Sequence, residues 1–163
     1  MIERIARRYR IEDRAACLAL FDANCPRFFA PSERDAYATF LDALDCDYFV
    51  RANSQQITFA FGLGREAERR WRIRWILLDP TVHRRGLGST LMRLAIRRIR
   101  SGGGGQLLIA ASHLSSGFFS RFGAETELVT PDGWGPGLHR VDMCLTVSTT
   151  MKTSHAAVTR GGF

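Results

Sequence analysis

The sequence predicts one α/β (α+β) domain in which about four helices flank a mixed, twisted sheet of about seven strands. Three observations carry this expectation. The apolar period changes from about 3.6 to about 2 after Leu44, which divides helical from extended chain. The run Leu107 to Ala111 is apolar on both faces, as a central strand covered by helices must be. A length of 163 residues suffices for one core and is too short for two.

Tyr9 to Ile11 closes a first short strand, and Glu12-Asp13 opens a helix, because acids favour the positive end of the helix dipole. Ala16, Leu20 and Ala23, with Cys17 and Phe21, recur at helical spacing until Asn24-Cys25-Pro26 stops them. Pro31-Ser32 starts a second helix, with Ser32 as its cap and Asp35 at the capping-box position. Its buried face is Tyr37, Phe40, Leu41 and Leu44. Tyr48 to Ala52 and Ile57 to Leu63 form a hairpin about Asn53-Ser54. A charged turn, Arg65 to Arg70, leads to the strand Trp71 to Leu78, where Trp71, Ile73 and Trp75 alternate with Arg72 and Arg74. Gly86 to Arg100 is the clearest helix, with Leu87, Leu91, Leu94, Ala95 and Ile99 on one stripe. Gly102 to Gly105 terminate it. After the strand at Leu107, Ser115-Ser116 caps a short helix that reaches Phe122 and ends at Gly123. Two last strands, near Glu125 to Val129 and Val141 to Val147, flank a glycine-rich loop, Asp132 to Gly137. Residues 1–147 form the domain, and 148–163 read as a loosely ordered tail without apolar periodicity.

The formal charge is +7, and all but one of the 23 basic residues are arginine. Such a surface suits phosphate and carboxylate without choosing among cofactor, nucleic acid and acidic partner. The arginines of the helix Gly86 to Arg100 interleave with core residues and lack stacking aromatics, which argues against nucleic acid. Cys17, Cys25, Cys46 and Cys144 show no CxxC pairing or zinc-ligand spacing, so no metal site is expected and free thiols in a reducing compartment are. The N-terminal arginines and Ala15 to Phe21 imitate a signal peptide, but Glu12-Asp13 and the lack of a cleavage site speak against one. No run is long enough to span a membrane, and the expected location is cytoplasmic.

The most informative stretch is Leu78-Asp79-Pro80-Thr81-Val82-His83-Arg84-Arg85-Gly86-Leu87-Gly88-Ser89. It sets a strand, a basic loop, two glycines and a long helix in succession. Free N–H groups and about half a positive charge sit at a helix start, and glycines let a phosphate come close. A P-loop would need Lys-Ser/Thr after Gly88, and the dinucleotide fingerprint a glycine at Leu91. His83-Arg84-Arg85-Gly86-Leu87-Gly88 instead resembles the pyrophosphate loop of the GNAT superfamily of acetyl-CoA-dependent N-acetyltransferases, Gln/Arg-x-x-Gly-x-Gly/Ala. His83 is a departure from that pattern. The resemblance implies a sheet whose central strands splay apart. It also implies that His83, Arg84, Arg85, Gly86, Leu87, Gly88 and Ser89 hold the coenzyme A pyrophosphate, while Leu77 and Leu78 bond the pantetheine arm.

Ser115-Ser116-Gly117-Phe118-Phe119-Ser120-Arg121-Phe122-Gly123 resembles the second signature of that family, Ala-x-x-Phe-Tyr-x-x-x-Gly-Phe. Ser112, Ser115, Phe118, Phe119 and Arg121 would then complete the coenzyme site. Phe119 stands where the family has an acidic tyrosine, and Ser112 where an asparagine is common. The reaction implied is direct attack of an amine on the acetyl thioester, with a strand N–H near Leu77 stabilising the oxyanion. Asp79, His139 and Asp142 are the candidate bases; Ser112, Ser115, Ser120 or water are the alternatives to the missing acid. The acceptor, a small-molecule or peptide amine, would lie between the segments Asn24 to Arg34 and Asp132 to His139. A homodimer is compatible with the family; the alternatives are a transferase using another acyl-CoA or a protein N-terminus, and a non-catalytic acyl-CoA-binding regulatory module, which Phe119 and Ser112 favour.

Overall fold

The structure, a computed structural model, describes residues 5–54, 56–83 and 85–149. Among these, seven strands and four α-helices follow in the order β1 (Arg7–Arg8), α1 (Arg14–Asn24), α2 (Arg34–Asp42), β2 (Asp47–Asn53), β3 (Gln56–Ala67), β4 (Arg70–Leu78), α3 (Leu87–Ser101), β5 (Gly105–Ser112), α4 (Ser116–Ser120), β6 (Glu125–Gly135) and β7 (Leu138–Val147). One sheet holds the strands in the order β1-β2-β3-β4-β5-β7-β6. All pairs are antiparallel except β4 with β5. That parallel ladder joins only Arg70–Arg72 to Gln106–Leu108, and beyond it the two strands part. The expected splay is present.

The sheet separates two apolar clusters. On one side Leu91, Met92, Ala95 and Ile99 of α3 pack with Phe59, Phe61, Leu107 and Ile109. On the other, Cys17 and Phe21 of α1 and Tyr37 and Leu41 of α2 pack with Tyr48, Val50 and Ala60. Successive strand residues point to opposite faces, which sends Phe49 and Phe61 to α3 and Tyr48 and Ala60 to α1 and α2. Each large side chain so buried stabilises by about 1.5–3 kcal/mol.

The alternation expected along β4 fails at Trp75. Trp71 and Ile73 belong to the α3 side, whereas Trp75 and Leu77 lie on the α1–α2 side. Trp75 has φ of +45°, and the β3–β4 register slips between Ala60 and Gly62. An extra residue in one strand is a β-bulge, and it reverses the phase of everything after it. Trp75 thereby stacks among Phe21, Phe29, Tyr37 and Phe40 at centroid distances of 5.0–6.4 Å. Its carbonyl accepts the Tyr48 hydroxyl at 2.9 Å.

Several boundaries differ from expectation. The first strand is Arg7–Arg8, not Tyr9 to Ile11. The second helix is capped neither by Ser32 nor by Asp35; the Glu33 carboxylate reaches back to the Ala30 N–H at 2.7 Å. β3 and β4 extend until the charged turn shrinks to Glu68-Arg69, and β6 and β7 leave only Pro136-Gly137 of the glycine-rich loop as turn. The expected tail falls, from residue 150 onward, outside the described residues.

Asp13 ties β1 to α1. It accepts both Arg7 guanidinium nitrogens at 2.6 and 2.7 Å and the Arg10 N–H at 2.9 Å. The Arg7 guanidinium holds its carboxyl below the ordinary carboxylate range. Asp13→Ala should destabilise by about 1–3 kcal/mol, since it strands a guanidinium and an N–H. A depressed acid stabilises fully above its unfolded pKa of about 3.9 and loses that contribution as pH falls through the folded value. Urea midpoints of wild type and variant should therefore differ near pH 7 and converge as pH falls through the folded value.

Candidate active site

Where β4 and β5 part, a cleft of about 1320 Å³ opens. Its walls are β4 from Arg72 to Ile76 with Leu78, and β5 from Ile109 to Ser112. The start of α3, the α4 region, the α1–α2 connection and the β6–β7 hairpin close it.

The connection from β4 to α3 is built by local hydrogen bonding. The Asp79 N–H donates to the Thr58 carbonyl at 2.8 Å. Its carboxylate accepts the Thr81 N–H at 2.8 Å, the Thr81 hydroxyl at 2.6 Å and the Gln56 amide at 3.3 Å. Asp79 is buried and lies outside the cleft lining, so it is a capping residue of the turn 80–82. His83 Nε2 donates to the Leu78 carbonyl at 3.1 Å, and Asn24 Nδ2 donates to the same oxygen at 2.9 Å. Together they clamp the end of β4 at the rim of the cleft.

Gly86 is in the left-handed region, with φ of +76° and open space where a Cβ would stand, so backbone conformation alone demands glycine there. Gly88 is different. A Cβ on it would lie 3.2 Å from the Phe118 ring, which makes closeness the reason for glycine. The Thr90 N–H is bonded to the Gly86 carbonyl at 3.0 Å, and the N–H groups before it are the orphans of a helix start. Fifteen residues of aligned dipoles point their positive end at this spot. Gly86, Gly88 and Ser89 line the cleft, as does His83. Leu87 packs on the α3-side core, Arg85 lines a separate hollow with Arg51 and Thr90, and Arg84 lies outside the described residues.

Leu77 does not reach the cleft. It is 1% exposed, and it faces Ala60 in the same ladder in which Asp79 bonds Thr58. Between those bonded positions, Leu78 turns its N–H and carbonyl the other way, as does Ile76 beyond. Both line the cleft.

Across the gap, the Ser112 N–H donates to Ser115 Oγ at 3.2 Å, and the Ser115 N–H returns to the Ser112 carbonyl at 3.0 Å. The two hydroxyls are 3.2 Å apart, and both residues line the cleft. Phe118 meets Phe119 edge-on at 5.0 Å, with the Arg121 guanidinium 5.5 Å over the Phe118 ring. Ser120 is exposed and donates to the Ser116 carbonyl.

The remaining candidate bases are engaged elsewhere. His139 lies outside the cleft lining, where its Nδ1 accepts the Asp132 N–H at 3.0 Å and its ring stacks on His113 at 4.7 Å. Asp142 is gripped by Arg140 at 2.7 and 3.0 Å. Glu33 is the acid that lines the cleft among the described residues, and burial pushes its carboxyl above the ordinary glutamate value. Nothing in the sequence singled it out, because a glutamate in a first turn reads as a dipole partner. Asn24 did leave a signal: it continues the buried series Cys17, Leu20, Phe21, where a polar side chain needs a reason. Trp134, whose indole N–H donates to the Ala111 carbonyl at 2.9 Å, brings the β6–β7 segment into the cleft lining.

The geometry can be set beside known proteins. No curated protein matches the sequence. Solved structures do. A GNAT-family protein from Desulfovibrio desulfuricans superposes with a TM-score of 0.71 at 20% identity, over 88% of this chain and 98% of that one. The ribosomal-protein-S18-alanine N-acetyltransferase of Escherichia coli gives 0.71 at 12% identity, over 91% and 96%. An aminoglycoside 6'-N-acetyltransferase complexed with coenzyme A gives 0.68 at 11%, over 90% and 99%. At these identities the likeness is one of fold. The sequence model of the acetyltransferase (GNAT) family matches residues 17–124, a span running from α1 across the split strands and through α4. Those residues carry both halves of the cleft, and the chain belongs to the GNAT acetyltransferase family.

Proposed function

We propose that the protein moves the acetyl group of acetyl-CoA to a primary amine of a small molecule or peptide by direct attack. The observation that carries this reading is the start of α3, with left-handed Gly86 and close-packed Gly88, set at the mouth of the split sheet. There the N–H groups of residues 86–89 take the pyrophosphate, His83 borders its approach, and Arg84 and Arg85 add positive charge nearby in the chain. Phe118 and Arg121 flank the coenzyme, and Ser112 and Ser115 border its thioester end. The pantetheine arm runs along the free edge of β4, and the oxyanion donor is the N–H of Leu78 or Ile76, with Leu77 behind them in the ladder.

An amine near pKa 10 must lose a proton before it attacks. Phe119 has no proton for the leaving sulfur, and a positioned acid is worth about 10²–10⁴-fold. A thiol of pKa about 8.5 leaves as thiolate near neutral pH, and positioning alone supplies about 7–11 kcal/mol. Catalysis is thereby slowed and not lost. The free cysteines favour a reducing compartment, the cytoplasm.

Thermal shift with acetyl-CoA, CoA and ATP tests the coenzyme. At 100 times Kd a ligand adds about 2.7 kcal/mol, so both CoA species should raise Tm by several degrees and ATP should not. Absence of any response to the CoA species would remove this reading. Binding without turnover of any amine would leave the non-catalytic acyl-CoA-binding module that buried Phe119 favours.

A further inference from the structure

Two opposite charges, Glu33 and Arg140, line the same cleft without closing an ion pair among the described residues. Glu33 is tethered to one wall by the Ala30 N–H. Arg140 is tethered to the other by Asp142, with its guanidinium stacked 4.8 Å over Trp134. Each feels the charge of the other, yet no ion pair joins them among the described residues. Asp142 engages Nε and Nη2 of Arg140, which leaves Nη1 outside that grip. The aromatic rings of Phe29, Trp75 and Trp134 line the same space.

An acid and a base held apart with rings around them form a slot for a zwitterion. The rest of the lining argues the same way. Arg72, Arg74 and Arg140 of the lining are paired with Glu66, Asp45 and Asp142. Arg27 and Arg121, stacked on Phe28 and Phe118, add positive charge to a lining whose one acid among the described residues is Glu33, so a polycationic amine enters against repulsion. An amine that carries its own carboxylate does not.

Resting on the reading of this cleft as an acetyl-CoA site, we infer that the acceptor is a free α-amino acid with an apolar or aromatic side chain. Its ammonium lies on Glu33, its carboxylate on Arg140, and its side chain among Phe29, Trp75 and Trp134. In the transfer step the ammonium gives one proton to the Glu33 carboxylate. The freed nitrogen pair then forms the N–C bond to the acetyl carbon. The C–S bond breaks, its electron pair stays on sulfur, and a second nitrogen proton completes the thiol.

The test is thiol release from acetyl-CoA by the purified protein, with the twenty amino acids, their amides, their decarboxylated amines, an alanyl peptide and spermidine. At least one apolar amino acid should react about 100-fold or more better than its decarboxylated amine or spermidine, because the amine alone brings no carboxylate to Nη1 of Arg140. Arg140→Lys keeps a charge for Asp142 but loses the fork; it should raise KM for the amino acid about tenfold and shrink its advantage over the decarboxylated amine by about the same factor. Glu33→Gln can still accept from Ala30, so it should fold. It should lower kcat about 100-fold or more and flatten the acid limb of the pH profile. Preference for the amide, the peptide, spermidine or the decarboxylated amine overturns the inference. So does acetyl-CoA binding without turnover of any amino acid. If acetyl-CoA itself fails to raise Tm, the functional reading falls and this inference with it.

Discussion

Gly88→Val should abolish acetyl-CoA binding while the apoprotein stays folded. The new Cβ would stand 3.2 Å from the end of the Phe118 ring, a half-buried side chain that can give by a few tenths of an ångström. Valine is also no worse than glycine in a helix, so apo stability should change by less than about 1 kcal/mol. The two added methyl groups project beside the first-turn N–H groups, where the phosphate must come close. We expect affinity to fall about 100-fold or more, equivalent to about 2.7 kcal/mol. Calorimetric titration of wild type and variant checks this, and equal affinities would mean that the α3 terminus does not hold the coenzyme.

Gly105→Ala should be the more damaging change to the fold. Gly105 has φ of +132°, and a Cβ there would fall 2.1 Å from the Arg69 carbonyl oxygen, a contact with backbone that no rotamer relieves. The position opens β5 beside the one parallel ladder that joins the two halves of the sheet. Left-handed strain costs about 1–3 kcal/mol by itself, and displacement of the Arg69–Gln106 connection adds to it. A total of about 4 kcal/mol or more, or a fall in Tm of roughly 8–16 °C, is expected. A loss of only a degree or two would show that the turn before β4 yields easily.

What the sequence made legible was local. The stripe on α3, the loop before it and the phenylalanines of α4 announce themselves within a few residues, and each stands where the pattern put it. What it concealed was relational. The bulge at Trp75 arises from pairing with β3, and no alternation within β4 reveals which residue will be the extra one. The sequence offered Leu77 and Leu78 there, whereas past the slip it is Ile76 and Leu78 that line the cleft. Asp79 looked chemical because it precedes the loop, but Asp-Pro-Thr is also a turn that consumes the carboxylate locally. Glu33 draws notice only once the fold brings it into the same cleft as Arg140, far along the chain.

The brevity of the β4–β5 ladder has a mechanical consequence. Three residue pairs bind a four-stranded blade to a three-stranded one, and beyond them the inner edges of both blades are bare of rungs. On the proposed reading, an amide-bearing arm laid in that opening would supply removable rungs between the blades. The sheet would then stiffen when the arm docks and loosen when it departs.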